Sequence, residues 1–188
     1  MRCFIAIDID EEIRRALDGL QRKLRDGIDV KRGDINWVNP DNIHLTLKFL
    51  GEIKDEKSAE ICNIVKTAAG GHKSFELDIE SVGHFGGRSP RVLWVGMGKG
   101  QEELLELQKD IEESLALAGW PKETREFAGH LTLCRIRHPA AGMKLAQVSE
   151  DYKDFKVGTL SADAVCVYQS ELKPGGPVYT ILGSYKLQ

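Results

Sequence analysis

The sequence His-Leu-Thr-Leu occupies residues 44–47 and occurs again at residues 130–133, about half the chain length later. Side chains alternate between the two faces of a strand, so His44 and Thr46 share one face while the two leucines occupy the other. His130 and Thr132 repeat this arrangement, and these two histidines are among only five in the chain. Each copy therefore predicts a strand with an apolar face set into a core and a polar face that presents an imidazole and a hydroxyl.

The elements around the two copies follow the same order. In the first half, apolar periodicity predicts strand 2–9, helix 11–25, the HLTL strand 43–50, helix 55–69, and the hairpin strands 75–82 and 92–95. The second half is predicted to contain strand 91–98, helix 102–118, the HLTL strand 127–136, a short helix 144–148, and the hairpin strands 159–168 and 178–187. An order of elements that recurs at half the chain length is typical of an internal duplication.

This repetition predicts an α+β protein of two similar lobes related by a pseudo-twofold axis, each lobe an antiparallel sheet with helices packed beside it. Residues 1–188 are expected to form a single bilobal domain. One lobe would contribute residues 44–47 and the other residues 130–133. The axis would place the polar faces of these two strands across a central groove.

Composition limits the class of protein. With 188 residues, 41% of them hydrophobic, the chain can bury a sizeable core, and a net charge of −3 argues against a generally basic nucleic-acid-binding surface. The four cysteines contain no C-x-x-C pair, which favours reduced thiols over a disulfide framework or a zinc site. We find no signal peptide and no transmembrane run, so a cytoplasmic protein without membrane attachment is expected.

Two histidines and two hydroxyls facing one another across a groove suit phosphoryl transfer. One imidazole can act as a general base while its protonated partner acts as a general acid. In-line displacement at phosphorus places the attacking and leaving oxygens on opposite sides, where a symmetric pair could serve both. Neither copy carries the adjacent carboxylates of a metal hydrolase, and no G-x-S-x-G elbow is present, so no metal and no cofactor are predicted.

Three stretches closely resemble the RNA 2′,3′-cyclic phosphodiesterases, also called 2′-5′ RNA ligases, of the two-histidine phosphoesterase superfamily. They are residues 2–8, residues 37–52 and residues 170–179. The resemblance implies the bilobal two-histidine phosphoesterase fold with a water-filled groove. It also implies a reaction that opens a terminal 2′,3′-cyclic phosphate of RNA to a 2′-phosphate, with reversible 2′-5′ ligation as a side activity.

By the same resemblance, His44 is the proton donor, His130 is the general base, and Thr46 and Thr132 bind the substrate phosphate. Arg135 matches a further phosphate-binding position of the family, although simple alternation would put it on the face opposite His130. It reaches the groove only if the strand ends or bulges there. Alternation also puts Lys48 and Cys134 on the groove face, and Cys134 is interpreted as a small filler and not as a nucleophile.

Other residues are assigned lesser roles. His72, His84 and His138 are interpreted as surface or loop histidines. Phe85 and Tyr168 are aromatic side chains near strand ends, where they could stack on a base or pack at the rim. Gly129 stands where the family usually has proline before the second histidine.

The expected partner is RNA with 2′,3′-cyclic phosphate ends, with tRNA fragments as one candidate, and the expected state is a monomer. Two alternatives stay open. One keeps the catalysis but changes the substrate to a small cyclic phosphate such as ADP-ribose 1″,2″-cyclic phosphate. The other is a non-catalytic protein that grips RNA ends. The presence of both histidines and both threonines favours an enzyme, because binding alone needs no pair of titrating groups.

Overall fold

The computed structural model describes all 188 residues. It contains four α-helices: α1 Glu11–Asp26, α2 Ser58–Ala69, α3 Gln101–Leu117 and α4 Pro139–Ser149. Its nine strands are β1 Arg2–Asp8, β2 Ile35–Trp37, β3 His44–Glu52, β4 Phe75–Phe85, β5 Val92–Met97, β6 Leu131–Ile136, β7 Lys156–Ala162, β8 Ala164–Lys173 and β9 Gly176–Lys186. None of the helices combines the length and apolarity that crossing a bilayer would require.

The strands form two antiparallel sheets, which confirms the predicted α+β class. The first sheet has the order β3-β1-β8-β9 and the second the order β2-β6-β5-β4-β7. If the short edge strand β2 is set aside, the two orders correspond strand for strand. Each sheet then begins with an HLTL strand, followed by the strand that precedes a long helix.

The lobes are not the two halves of the chain. Strand β4, from the first half of the chain, pairs with β5 of the second sheet. Strand β8, from the second half, pairs with β1 of the first sheet, and β9 pairs with β8. The prediction of one strand over residues 159–168 is wrong for this reason. The chain breaks at Asp163, so that β7 belongs to the second sheet and β8 to the first.

Two other predicted boundaries change. The second HLTL strand begins at Leu131 and not at residue 127, so His130 lies just before it. Helix α4 begins at Pro139, well before the predicted residue 144, because proline fits the first turn of a helix, where its missing N–H costs no hydrogen bond.

The helices cover one face of each sheet. In α3, the buried residues Leu104, Leu107, Ile111 and Leu115 recur at helical spacing. They join the four leucines of both HLTL strands in one cluster of 36 buried residues, so the two lobes share a continuous core. The apolar sides of the HLTL strands therefore face the helices, and their polar sides face away from this core.

Both HLTL strands contain a β-bulge at the same place. Along β1 and β3, Ile5 pairs with Lys48 but Ala6 pairs with Thr46, so Leu47 is the extra residue. Along β5 and β6, Leu93 pairs with Cys134 but Trp94 pairs with Thr132, so Leu133 is the extra residue. A bulge reverses the alternation of side chains beyond it.

The bulges overturn the assignment of faces by simple alternation. Lys48 and Cys134 do not lie on the groove face, because each follows its leucine into the core. Burial raises the pKa of the Cys134 thiol to about 12, which suits a packing residue and not a nucleophile. The next residues, Phe49 and Arg135, turn to the face of the threonines and are exposed. The condition under which Arg135 reaches the groove face is thus met.

The buried ammonium group of Lys48 joins the first HLTL strand to helix α3 and to the segment that follows this helix. Its Nζ donates to both carboxylate oxygens of Glu112 on α3 at 2.8 Å and to the Pro121 carbonyl at 2.9 Å, and the side chain is only 3% exposed. Glu112 also accepts the backbone N–H of Glu123 at 2.7 Å. One ion pair therefore fixes the segment that leads into the second HLTL strand.

We expect Lys48→Met to lower the free energy of unfolding by about 3–5 kcal/mol, because it leaves the Glu112 carboxylate buried without its cation. The double variant Lys48→Met/Glu112→Leu removes both charges and should recover most of this loss. Urea unfolding of both variants, beside the wild type, measures the difference. A double variant as unstable as the single one, or less stable, would contradict the assigned ion pair.

Candidate active site

The two HLTL strands lie next to each other at the junction of the lobes. Strand β3 forms the edge of the first sheet and contacts β6 of the second. Gln21 on α1 strengthens this junction, because its buried amide donates to the Val38 carbonyl at 2.8 Å and to the Leu133 carbonyl at 2.9 Å. The helix that follows β1 is thereby bonded directly to the second HLTL strand.

The two histidines are held by the same backbone device. In His44, Nδ1 lies 2.9 Å from the Asn42 carbonyl, and in His130, Nδ1 lies 2.7 Å from the Ala128 carbonyl, in each case two residues upstream. A carbonyl can only accept a hydrogen bond, so Nδ1 must carry the proton. Nε2 of each ring is then the nitrogen that can take up or release a proton.

Aromatic rings brace His44. Phe4 stacks on it at a centroid distance of 4.5 Å, and Tyr179 meets it edge-on at 5.3 Å. Burial lowers the pKa of His44, while the Asn42 carbonyl and the charge of Asp8 act in the opposite direction. The ring is thus packed in a fixed orientation, and its protonation is sensitive to charge nearby.

His130 has a corresponding aromatic environment. Phe85 meets its ring edge-on at 5.0 Å, and Trp94 lies at 6.4 Å. Phe85 pairs with Val92 in the second sheet as Tyr168 pairs with Phe4 in the first, so Phe85 and Tyr168 occupy equivalent places in the two sheets. Both of them belong to the surroundings of a histidine of the repeat.

A carboxylate distinguishes the surroundings of His44 from those of His130. Asp8 pairs with His44 across the strands, and both of its oxygens accept the Tyr168 hydroxyl, at 2.6 and 2.8 Å. Burial, together with Asp8, raises the pKa of Tyr168, so the phenol stays a donor. In β5 the equivalent place is taken by Gly96, as the pairing of Trp94 with Thr132 and Val95 with Leu131 shows. The two histidines therefore sit in similar frames with different electrostatics.

Thr46 and Thr132 lie on the same faces as their histidines and are half-buried. Arg135 shares the Thr132 face, and its positive charge acts on Tyr179 of the first sheet. Burial raises the pKa of Tyr179, while Arg135 and Arg2 oppose that rise. Because Tyr179 touches His44, the structure brings the cation of the second HLTL strand toward the histidine of the first.

An open cavity of about 820 Å³ lies beside His44. Its lining includes Arg14, Asn39, Tyr168, Lys173 and Tyr179. The volume falls within the usual range for small-molecule sites, and aromatic and cationic side chains face it together.

Phe4, Asp8, Trp94 and Tyr179 were not predicted as site residues. Alternation of side chains along β1, β5 and β9 places each of these residues on a groove face. No local feature of the sequence shows which face of these strands is the groove face. The prediction that His84 is a loop residue is wrong, since it lies half-buried within β4. His72 is bonded to Asp110 at 2.8 Å, outside the candidate site. No cluster of three or more His, Cys, Asp or Glu side chains offers a metal site.

Comparison with known proteins agrees with this architecture. The pattern of the family described as LigT-like phosphoesterase matches the chain twice, over residues 7–94 and 95–179. The RNA 2′,3′-cyclic phosphodiesterase of Methanothermobacter thermautotrophicus is 31% identical, with 100% of this chain and 99% of that protein covered. The protein of the same name from Methanocaldococcus jannaschii is 34% identical, with 97% and 98% covered.

Solved structures give the same result. The crystal structure of TT0787 of Thermus thermophilus superposes with a TM-score of 0.81 at 29% identity, covering 100% of this chain and 98% of that one. That of E. coli LigT complexed with 3′-AMP gives 0.75 at 27% identity, with 99% and 97% covered. The family pattern matches twice, and each match contains one HLTL strand, so the chain belongs to the LigT-like phosphoesterase family.

Proposed function

We propose that this protein is a metal-independent RNA 2′,3′-cyclic phosphodiesterase, a hydrolase that opens terminal 2′,3′-cyclic phosphates to 2′-phosphates. The observation that carries the proposal is the pair of imidazoles on neighbouring strands, each fixed through Nδ1 with Nε2 left for proton transfer. The names of the relatives support it, because the chain matches proteins named RNA 2′,3′-cyclic phosphodiesterase over nearly their whole length.

The proposed roles of the two histidines are those that the family resemblance implies. His130 removes a proton from water as the water oxygen bonds to phosphorus, and His44 gives its proton to the departing 3′ oxygen as the P–O3′ bond breaks. The phosphorus stays attached to the 2′ oxygen. Thr46 and Thr132 donate hydrogen bonds to phosphate oxygens, and Arg135 offsets their negative charge. With an RNA 5′-hydroxyl in place of water as the attacking group, the same steps would form a 2′-5′ linkage, and their reverse would cleave it.

The substrate class is inferred from the surroundings of the site. The cavity beside His44 has room for the terminal nucleoside, and aromatic rings can stack on any base without sequence preference. We propose RNA ends, tRNA fragments among them, as the partner and a monomer as the working form, since one chain supplies both HLTL strands. The four unpaired cysteines favour a cytoplasmic location.

The first experiment separates this function from its two rivals. In excess chelator, the protein should hydrolyse an RNA oligomer with a 2′,3′-cyclic phosphate end to a 2′-phosphate product, as identified by chromatography. Full activity only on ADP-ribose 1″,2″-cyclic phosphate would favour the small-substrate alternative. Tight binding of the RNA end without turnover would favour the binding protein. Activity lost on chelation and restored by one divalent ion would contradict the metal-free mechanism.

Replacement of either histidine by alanine should lower kcat by about 10²-fold or more, the low end for general acid or base catalysis, while Thr46→Ala and Thr132→Ala should each cost less. A substrate whose 3′ leaving group needs no proton tells the two roles apart. His44→Ala should recover most of its rate on that substrate, and His130→Ala should not. The opposite pattern would exchange the two roles.

The pH profile provides an independent test of the roles. Burial lowers the pKa of His44 and the charge of Asp8 opposes that shift, so Asp8→Asn should lower this pKa further while keeping an acceptor for the Tyr168 hydroxyl. An acid is inactive once it has lost its proton, so the alkaline limb of the kcat/KM profile should move to lower pH. A shift confined to the acid limb would make His44 the base. Tyr168→Phe is the matched control, because it removes a contact of Asp8 but no charge.

A further inference from the structure

The second residue beyond each β-bulge, which returns to the groove face, differs between the two HLTL strands. The second strand carries Arg135 there, and the first carries Phe49. Phe49 is 55% exposed, although a large apolar side chain on a soluble protein is usually buried. Its place in the repeat is thus equivalent to that of a proposed phosphate-binding residue, but its chemistry is that of an aromatic ring.

Phe49 is continuous with the surroundings of His44. Its ring lies 6.3 Å from that of Phe4, which in turn stacks on His44 at 4.5 Å. Phe4 also stacks on Tyr168 at 5.1 Å, so a row of aromatic rings crosses three neighbouring strands on the groove face. Phe49 forms the outer, exposed end of this row.

A second cavity opens at that end of the row. It measures about 210 Å³ and lies between the end of β3 and the segment 120–124 that precedes the second HLTL strand. Phe49, Trp120 and Pro121 provide apolar surface, while Lys122, Glu123 and Thr124 provide polar groups. The Lys48–Glu112 ion pair fixes one wall, because it binds the Pro121 carbonyl and the Glu123 N–H.

We propose that this cavity binds the nucleobase of the RNA nucleotide that precedes the cyclic-phosphate end, with Phe49 as its stacking surface. Phe49 lies three residues beyond Thr46, roughly 10 Å along the strand, which is within reach of the neighbouring nucleotide. An exposed ring can stack on the face of any base, and the polar groups opposite it can meet the base edge. The mixed charge of the lining suits a neutral base better than a phosphate.

This inference rests on the proposed function and refines it, since it makes the preferred substrate an RNA of at least two nucleotides. A mononucleotide cyclic phosphate would fill the cavity beside His44 but leave the Phe49 cavity empty. A small cyclic phosphate without a second base gains nothing from Phe49. The length of the substrate should therefore affect the rate through this one side chain.

The test compares uridine 2′,3′-cyclic phosphate with the dinucleotide adenylyl-uridine that ends in the same cyclic phosphate. We expect the wild type to favour the dinucleotide about tenfold in kcat/KM, within the range of one base stacked on an aromatic ring. Phe49→Ala should reduce this preference to near one, and Phe49→Trp should retain it. Met143→Ala, which removes an equally exposed apolar side chain from α4, should keep the wild-type ratio.

The outcomes separate the two proposals. Hydrolysis of both substrates at equal kcat/KM by the wild type, or an unchanged ratio in Phe49→Ala, would overturn the Phe49 site and leave the phosphodiesterase standing. Calorimetry tests the site when no hydrolysis occurs. It measures the binding of the same dinucleotide and mononucleotide, each ending in a 3′-phosphate in place of the cyclic phosphate. If neither cyclic phosphate is hydrolysed but the dinucleotide binds more tightly through Phe49, the site is retained and the proposed reaction fails. Equal binding of both by wild type and Phe49→Ala would overturn the site without reference to activity.

Discussion

The β-bulge shared by the two HLTL strands is the constraint on which the site depends. One extra residue after each threonine reverses the alternation of side chains, so the following residue enters the core and the next returns to the groove face. Without the bulge, Phe49 and Arg135 would point into the core, and Lys48 would lie in the groove. Which side chains face the groove therefore depends on a backbone irregularity and not only on the residues of the motif.

The bulge also determines how the lobes are joined. It turns Lys48 toward α3, where the ammonium finds Glu112 and the segment that leads to His130. Gln21 makes a second connection, from α1 to the strand that follows His130. A buried ion pair contributes modest net stability but specifies one geometry, because any other arrangement leaves a charge unpaired. The relative position of the two imidazoles is thus fixed by the same contacts that close the core.

The two HLTL strands, the faces of His44 and Thr46, and the α+β class were predicted from the sequence. These features follow from a repeated tetrapeptide and its period-two alternation, which can be recognised without knowing which distant residues pair. Alternation failed at Lys48 and Cys134, since a bulge is set by the register of the partner strands β1 and β5. It failed again at residues 159–168, where one apolar run serves two sheets. Phe4, Asp8 and Tyr179 were not predicted as site residues, because their proximity to His44 arises from pairing between distant parts of the chain.

The surroundings of His44 and His130 are alike in backbone structure but differ in charge. This difference bears on which imidazole acts on the attacking oxygen and which on the leaving oxygen. A strictly symmetric pair of imidazoles could not distinguish the attacking oxygen from the leaving one. Asp8 faces His44, whereas Gly96 takes the equivalent place near His130. Burial disfavours the protonated form of His44 more than the Asn42 carbonyl and the Asp8 carboxylate favour it, so the balance lies toward a lowered pKa. An anionic phosphate entering the groove adds negative charge and shifts this balance toward the imidazolium. In the proposed mechanism, substrate binding itself therefore favours the protonated form of His44, which is the form that gives a proton to the leaving oxygen.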